Sequence, residues 1–182
     1  MRRFAFVAAF AVGLYGQGSD YGRSMVISQQ GIVATSQVLA SQAGTRILER
    51  GGSAVDAAIA ANAVLGVTEP MMDGIGGDLF VLYWDAKTGK LTGLNSSGPA
   101  PRALSPEFLE KLGDTKMPAA GIQSVTVPGA VQGWAQMHKR FGKLPWKDLF
   151  ESAIAYADKG FPVAEGIAEA WNSEGARKKL ES

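Results

Sequence analysis

Asp73 and Asp78 flank the turn Gly74-Ile75-Gly76-Gly77, and Asp85 follows the next apolar run. Converging carboxylates at such a turn would suit glycoside hydrolysis or hold a divalent cation. Aspartates also cap turns by bonding to nearby backbone N–H groups, and spacing leaves both roles open. The glycines suggest a phosphate loop, but that loop needs a strand before it and a helix after it. Here the pattern predicts the reverse order, with no Walker lysine, so a tight turn is expected. His138 is the only histidine. As a base it would need a nucleophile and an orienting carboxylate, and no serine sits in a nucleophile-elbow pattern. A packing role on a helix is the plainer reading. Arg102 is the one cation between Leu91 and Pro106. Its guanidinium could clamp a carboxylate or simply be solvated. Local chemistry therefore names no catalytic residue, cofactor loop or metal site.

Composition narrows the classes further. The chain has 182 residues, 18 Lys+Arg against 17 Asp+Glu, and no Cys. That length predicts one domain. A net charge of +1 without a basic stripe argues against nucleic acid as a partner. Zero Cys excludes disulfides, a thiol nucleophile and thiolate zinc sites. Glycine, at 23 residues, is about one in eight, well above the usual share.

Met1-Arg2-Arg3 precedes the apolar run Phe4–Leu14, and Gly16-Gln17-Gly18 supplies small residues behind it. This is the form of a secretory signal peptide over residues 1–18. Such a run is too short to span a bilayer. Residues 19–182 would then form a periplasmic or secreted part, free of the membrane once the signal is removed.

The elements that must position the candidate residues follow in order. Gly31–Thr35 is β-branched and reads as a strand. Ser36 is placed as an N-cap, and a helix through Arg50 stops at Gly51-Gly52. Ser53 and Asp56 form a capping box for a second helix to about Leu65. Its six alanines make it small on nearly every side, so it should be buried. Glu69-Pro70 ends the helical region. Leu79–Trp84 and Lys90–Asn95 read as a hairpin. A short helix from Ser105-Pro106 runs to about Leu112, and Ser124–Val127 reads as a third strand. Helices follow over Ala130–Phe141, from Pro145 to about Lys159, and towards the end. A hairpin beside layered helices predicts a mixed α/β chain of α+β type with an antiparallel sheet.

The tract GIVATSQVLASQAGTRILERGGSAVDAAIAANAVLGVTEPMMDGIGGDLFVLYWDAKTGK over residues 31–90 resembles the N-terminal part of γ-glutamyltransferases (γ-glutamyl transpeptidase, glutathione hydrolase). The resemblance continues through VPGAVQGW at 127–134 and GKLPW at 142–146, and covers about residues 31 to 165. It implies an N-terminal-nucleophile hydrolase fold, an αββα sandwich of two antiparallel sheets between helices, here only partly present. It further implies a precursor that cleaves itself before a threonine. That threonine's hydroxyl attacks a γ-glutamyl amide such as glutathione, and its α-amine is the base. No cofactor is implied.

Two departures stand out. The family's nucleophilic threonine lies in a downstream segment, and Thr35, Thr68 and Thr126 do not sit in its setting. The chain then corresponds to part of a large subunit. Alone it is expected to be inactive, with the small-subunit part of the same precursor as its partner. Secondly, the family's glutathione users carry Arg-Glu in a loop ending Ala-Pro, where the arginine binds the substrate's α-carboxylate. Aligning Ala100-Pro101 puts Ser97 and Gly98 there. Loss of that clamp weakens γ-glutamyl recognition by about 1.5–3 kcal/mol, unless Arg102 reaches in. Ser97 and Arg102 are thus the candidate substrate-binding residues, with a small-molecule amide as substrate. The alternatives are an amidohydrolase of the same family with a different acyl group, and a non-catalytic binding or scaffold module.

Overall fold

A computed structural model describes residues 25–119, 121–175 and 178. The expected signal peptide lies outside the described residues.

Helices α1 (Val38–Glu49) and α2 (Ala54–Thr68) form the centre of the fold. Gln37 caps α1, its side-chain oxygen accepting from Leu39 N and Ala40 N. The cap was expected at Ser36. That hydroxyl instead donates to Glu69 Oε2 at 2.6 Å, tying the start of α1 to the end of α2. α1 ends where Gly51 takes a φ of 87°, as glycine allows. The capping box at the start of α2 is present: Asp56 N donates to Ser53 Oγ, and Ser53 N to Asp56 Oδ2.

The alanines of α2 let it be buried on two sides. Ala61 and Val64 meet Ala40 and Ala43 of α1, with Ala153 of α5 (Glu151–Lys159) closing that cluster. Val55, Ala57, Ile59 and Ala60 join Ile47, Leu149, and Trp134 and Met137 of α4 (Ala130–Phe141). Each large side chain buried here contributes about 1.5–3 kcal/mol.

Strands β1 (Leu79–Asp85) and β2 (Lys90–Ser96) pair antiparallel from Leu79↔Ser96 to Asp85↔Lys90. Leu79, Val81, Tyr83 and Leu94 face the core. Phe80, Leu82, Trp84 and Leu91 face outward and are 60–79% exposed. The chain is thus mixed helix and strand, consistent with an α+β class. Among the described residues its sheet has two strands.

Two expected strands are corrected. Residues 31–35 belong to no ladder: Thr35 N donates to Ser41 Oγ, and its hydroxyl engages Gln37 O and Ser41 Oγ. Ser124 closes a 3-10 turn that starts at Ile122, Val125 is extended, and Val127 N donates to Pro99 O, with no strand over 124–127. A ladder against 97–101 cannot form there, because Pro99 and Pro101 have no N–H to offer.

The remaining elements are α3 (Pro106–Lys111), a 3-10 turn at Trp146–Phe150 that opens α5, and α6 (Glu165–Asn172). No helix among the described residues is long and apolar enough to cross a membrane.

Candidate functional site

The register that pairs Leu79 with Ser96 sets Asp78 opposite Ser97 at the open end of the hairpin. Three segments meet there: the Gly74–Asp78 turn, the Ser96–Pro101 loop, and residues 126–129 leading into α4. Asp78 Oδ1 accepts from Gly98 N and from Thr126 Oγ1, each at 3.1 Å. Ser96 Oγ donates to Gly129 O at 2.8 Å. The carbonyl of Gly77 accepts from both Gly129 N and Ala130 N at 3.0 Å. The glycine-dense turn therefore satisfies donors at the start of α4 that would otherwise lack partners. An anion could not use those donors without displacing the turn.

The joint is too tight for side chains at two positions. A Cβ on Gly98 would stand 1.4 Å from Val127 O, and one on Gly129 would stand 2.0 Å from Ser96 O. Both obstacles are backbone, so neither can swing aside.

Asp78 is exposed and enters no ion pair among the described residues. The N–H of Gly98 is the main cause that holds its carboxyl below the ordinary pKa. Partial desolvation opposes this, and the hydroxyls of Ser97 and Thr126 add to it. At neutral pH the open end of the hairpin thus carries a fixed negative charge.

The other candidates are dispersed. Ser97 is exposed on the loop beside Asp78, its N–H donating to Asn95 Oδ1 at 2.9 Å. Arg102 is exposed in the following turn and makes no ion pair or hydrogen bond among the described residues. Asp73 accepts from Asn62 Nδ2 at 2.8 Å, and Asn62 Oδ1 accepts from Trp134 Nε1 at 2.9 Å. Asp85 caps its own turn, taking Lys87 N and Thr88 Oγ1. The three aspartates therefore serve three separate local structures and do not converge.

His138 is a packing and tethering residue. Its Nε2 lies 2.8 Å from Leu144 O, and its ring meets Trp146 edge-on. It also approaches Asp56 Oδ1 at 3.7 Å. Asp56 carries more than the helix cap read from its spacing. Its Oδ2 also accepts from Lys143 N at 2.8 Å and Leu144 N at 3.2 Å, while its fully buried Oδ1 has no hydrogen-bond partner. Burial alone pushes the Asp56 carboxyl up. The N–H groups of Ser53, Lys143 and Leu144, with the Ser53 hydroxyl, more than reverse that. No local signal could have linked Asp56 to a loop 87 residues away. Asp78 was recognised as a turn residue, but its partners at 98 and 126 are likewise visible only in the fold.

A half-open groove of about 340 Å³ lies between α2, α4 and β1, lined by Val55, Ile59, Asn62, Leu79, Val81 and Met137 among others, with the exposed Phe80 and Leu82 at its rim. It is apolar and offers no titratable group. The open end of the hairpin, with an exposed hydroxyl and a charged carboxylate on a rigid joint, is suited to binding and selecting a ligand. It holds no activated nucleophile.

A family model described as Gamma-glutamyltranspeptidase matches residues 40–182, most of the chain. The chain belongs to the gamma-glutamyltranspeptidase family. The match takes in most of α1, and α2, the hairpin and the joint at its open end. The chain is 41% identical over 140 residues to the glutathione hydrolase-like YwrD proenzyme of Bacillus subtilis, covering 76% of this chain and 26% of that protein. It is 38% identical over 160 residues to the glutathione hydrolase proenzyme of the same organism, covering 83% and 26%. It thus spans about a quarter of the length of these relatives. Among solved structures, the gamma-glutamyltranspeptidase of Helicobacter pylori matches with a TM-score of 0.78 at 32% identity, covering 87% of this chain and 46% of that one. The cephalosporin acylase of Bacillus halodurans matches with 0.76 at 42% identity, covering 90% and 32%. Relatives in this set are named as a glutathione hydrolase, a gamma-glutamyltranspeptidase and a cephalosporin acylase, which are enzymes.

Proposed function

We propose that the whole protein is an exported, self-processing amide hydrolase or acyltransferase, and that this chain supplies part of its large subunit. Membership of the gamma-glutamyltranspeptidase family carries this reading. In it, the precursor cleaves itself before a threonine in the part of the relatives' length that this chain does not span. The threonine hydroxyl adds to the amide carbonyl carbon while its α-amine takes the proton. The leaving amine departs with a proton and leaves an acyl ester. Water or an acceptor amine then resolves that ester.

The outward face of the hairpin supports a further layer. Phe80, Leu82, Trp84 and Leu91 form an exposed apolar band on a two-stranded sheet. An open edge beside such a band invites pairing and coverage. The second sheet of an αββα sandwich, donated by the rest of the precursor, would provide both.

For the acyl group two readings stand. The relatives named as glutathione hydrolases point to γ-glutamyl amides, with Ser97 and Arg102 as the contacts and Arg102 meeting the carboxylate. The second reading is an acyl group other than γ-glutamyl. The observation that favours it is the site itself: Ser97 and Gly98 stand beside the carboxylate of Asp78, with no cation paired to it among the described residues.

The test is expression of the complete reading frame. Two subunits on a denaturing gel and release of amine from a panel of glutathione, a γ-glutamyl anilide and simple amides are expected. A single uncleaved band with no amidase activity would end the proposal. Under the first reading, Arg102→Ala raises KM for glutathione several-fold.

A further inference from the structure

We infer that Asp78 is a specificity-determining residue of the acyl pocket, which selects amides whose acyl group carries no free carboxylate where it meets the Ser97–Gly98 loop. This rests on the proposed placement of Ser97 at the substrate.

Asp78 both shapes that loop and sets its charge. Its Oδ1 holds Gly98 N and Thr126 Oγ1 together, each at 3.1 Å, so one carboxylate joins the two segments that cross at the loop. Gly98 lies directly against the backbone of Val127, with no room for a Cβ between them. The loop is therefore held close to the segment that leads into α4. The two bonds occupy one carboxylate oxygen and leave the negative charge at the open end of the hairpin. The Gly98 N–H foremost, with the neighbouring Ser97 and Thr126 hydroxyls, holds the carboxyl below its ordinary pKa. No Lys or Arg is paired with Asp78 among the described residues. Arg102 is the only cation in the surrounding stretch, and it stands exposed in a separate turn.

A carboxylate brought against Ser97 would meet this like charge. A neutral or amine-bearing acyl group would not, and an ammonium would be attracted. Two unit charges a few ångströms apart near a protein surface shift binding by about tenfold.

The experiment uses the complete, processed protein and two anilides that differ only in the carboxylate: γ-glutamyl p-nitroanilide and 4-aminobutyryl p-nitroanilide. The readout is the ratio of their kcat/KM values. The unmodified protein is expected to prefer the 4-aminobutyryl substrate. In Asp78→Asn, which retains an oxygen to accept from Gly98 and Thr126, the ratio shifts about tenfold towards γ-glutamyl, and the shift lies in KM. Raising the salt concentration narrows the preference of the unmodified protein, because the effect is electrostatic. That second measurement decides the matter if the variant fails to mature. Asp78→Ala, which loses both bonds, lowers turnover of both substrates together. A ratio unmoved in Asp78→Asn, or a salt-independent preference, would overturn the inference while leaving the amidase reading intact. Absence of turnover with every amide would remove both.

Discussion

Removing the Asp56 carboxylate should be among the most damaging single changes in this part of the protein. One oxygen receives the N–H groups of Ser53, Lys143 and Leu144, joining the start of α2 to the loop after α4. Asp56→Ala leaves those three donors unpaired next to a cavity. At about 1–3 kcal/mol per orphaned donor shielded from water, the upper range of the loss is roughly 3–9 kcal/mol. Water reaching the exposed Lys143 recovers part of this, so about 4 kcal/mol is expected. That is a large share of the ~5–15 kcal/mol typical of a folded domain. Asp56→Asn keeps one acceptor oxygen and should cost less. The pH dependence has a definite sign. The carboxyl is lowered in the folded state, so the unfolded chain takes up the proton first. The contribution is complete above the ordinary carboxylate value of about 3.9 and fades as pH falls through the folded value. Urea unfolding of the complete protein, followed by tryptophan fluorescence from pH 7 down to pH 3, measures both effects. The unmodified protein should lose stability below about pH 4 more steeply than Asp56→Asn. A loss under about 1 kcal/mol in Asp56→Ala, or identical acid slopes, would refute the role assigned to these bonds.

Other changes test the joint and the exposed face. Gly98→Ala drives a Cβ into Val127 O and should abolish soluble, processed protein; normal yield would show that the joint can yield. Trp134→Phe removes the indole N–H from Asn62 and should cost about 1–2 kcal/mol, read as a drop in the urea midpoint with an unchanged slope. Leu82→Asp tests the proposed second layer. If the rest of the precursor covers the outward face, the variant should lose folded yield; if the face meets water, yield should be unaffected.

Local pattern was sufficient where neighbours in sequence are also neighbours in space. The Ser53–Asp56 box, the end of α1 at Gly51, the hairpin across Asp85–Gly89 and α4 over Ala130–Phe141 were all legible. A cap, a glycine turn or a helical period needs only a few adjacent residues to declare itself. Gln37 in place of Ser36 shows the limit: Glu69, from the far end of α2, captured the serine hydroxyl. The two expected strands failed for a related reason. A β-branched run becomes a strand only when a partner offers a matching row of donors and acceptors. Residues 31–35 met side chains, and 124–127 met prolines.

Family membership was also written in the sequence, because the order of its motifs survives without coordinates. Which aspartates act together was not. Asp56 reaches a loop 87 residues on, and Asp78 joins residues 98 and 126. These links span long stretches of chain and follow from packing α2, α4 and the hairpin against one another. Spacing told us that Asp78 stands in a turn. Only the tertiary structure placed its charge beside Ser97, where the proposed substrate would meet it.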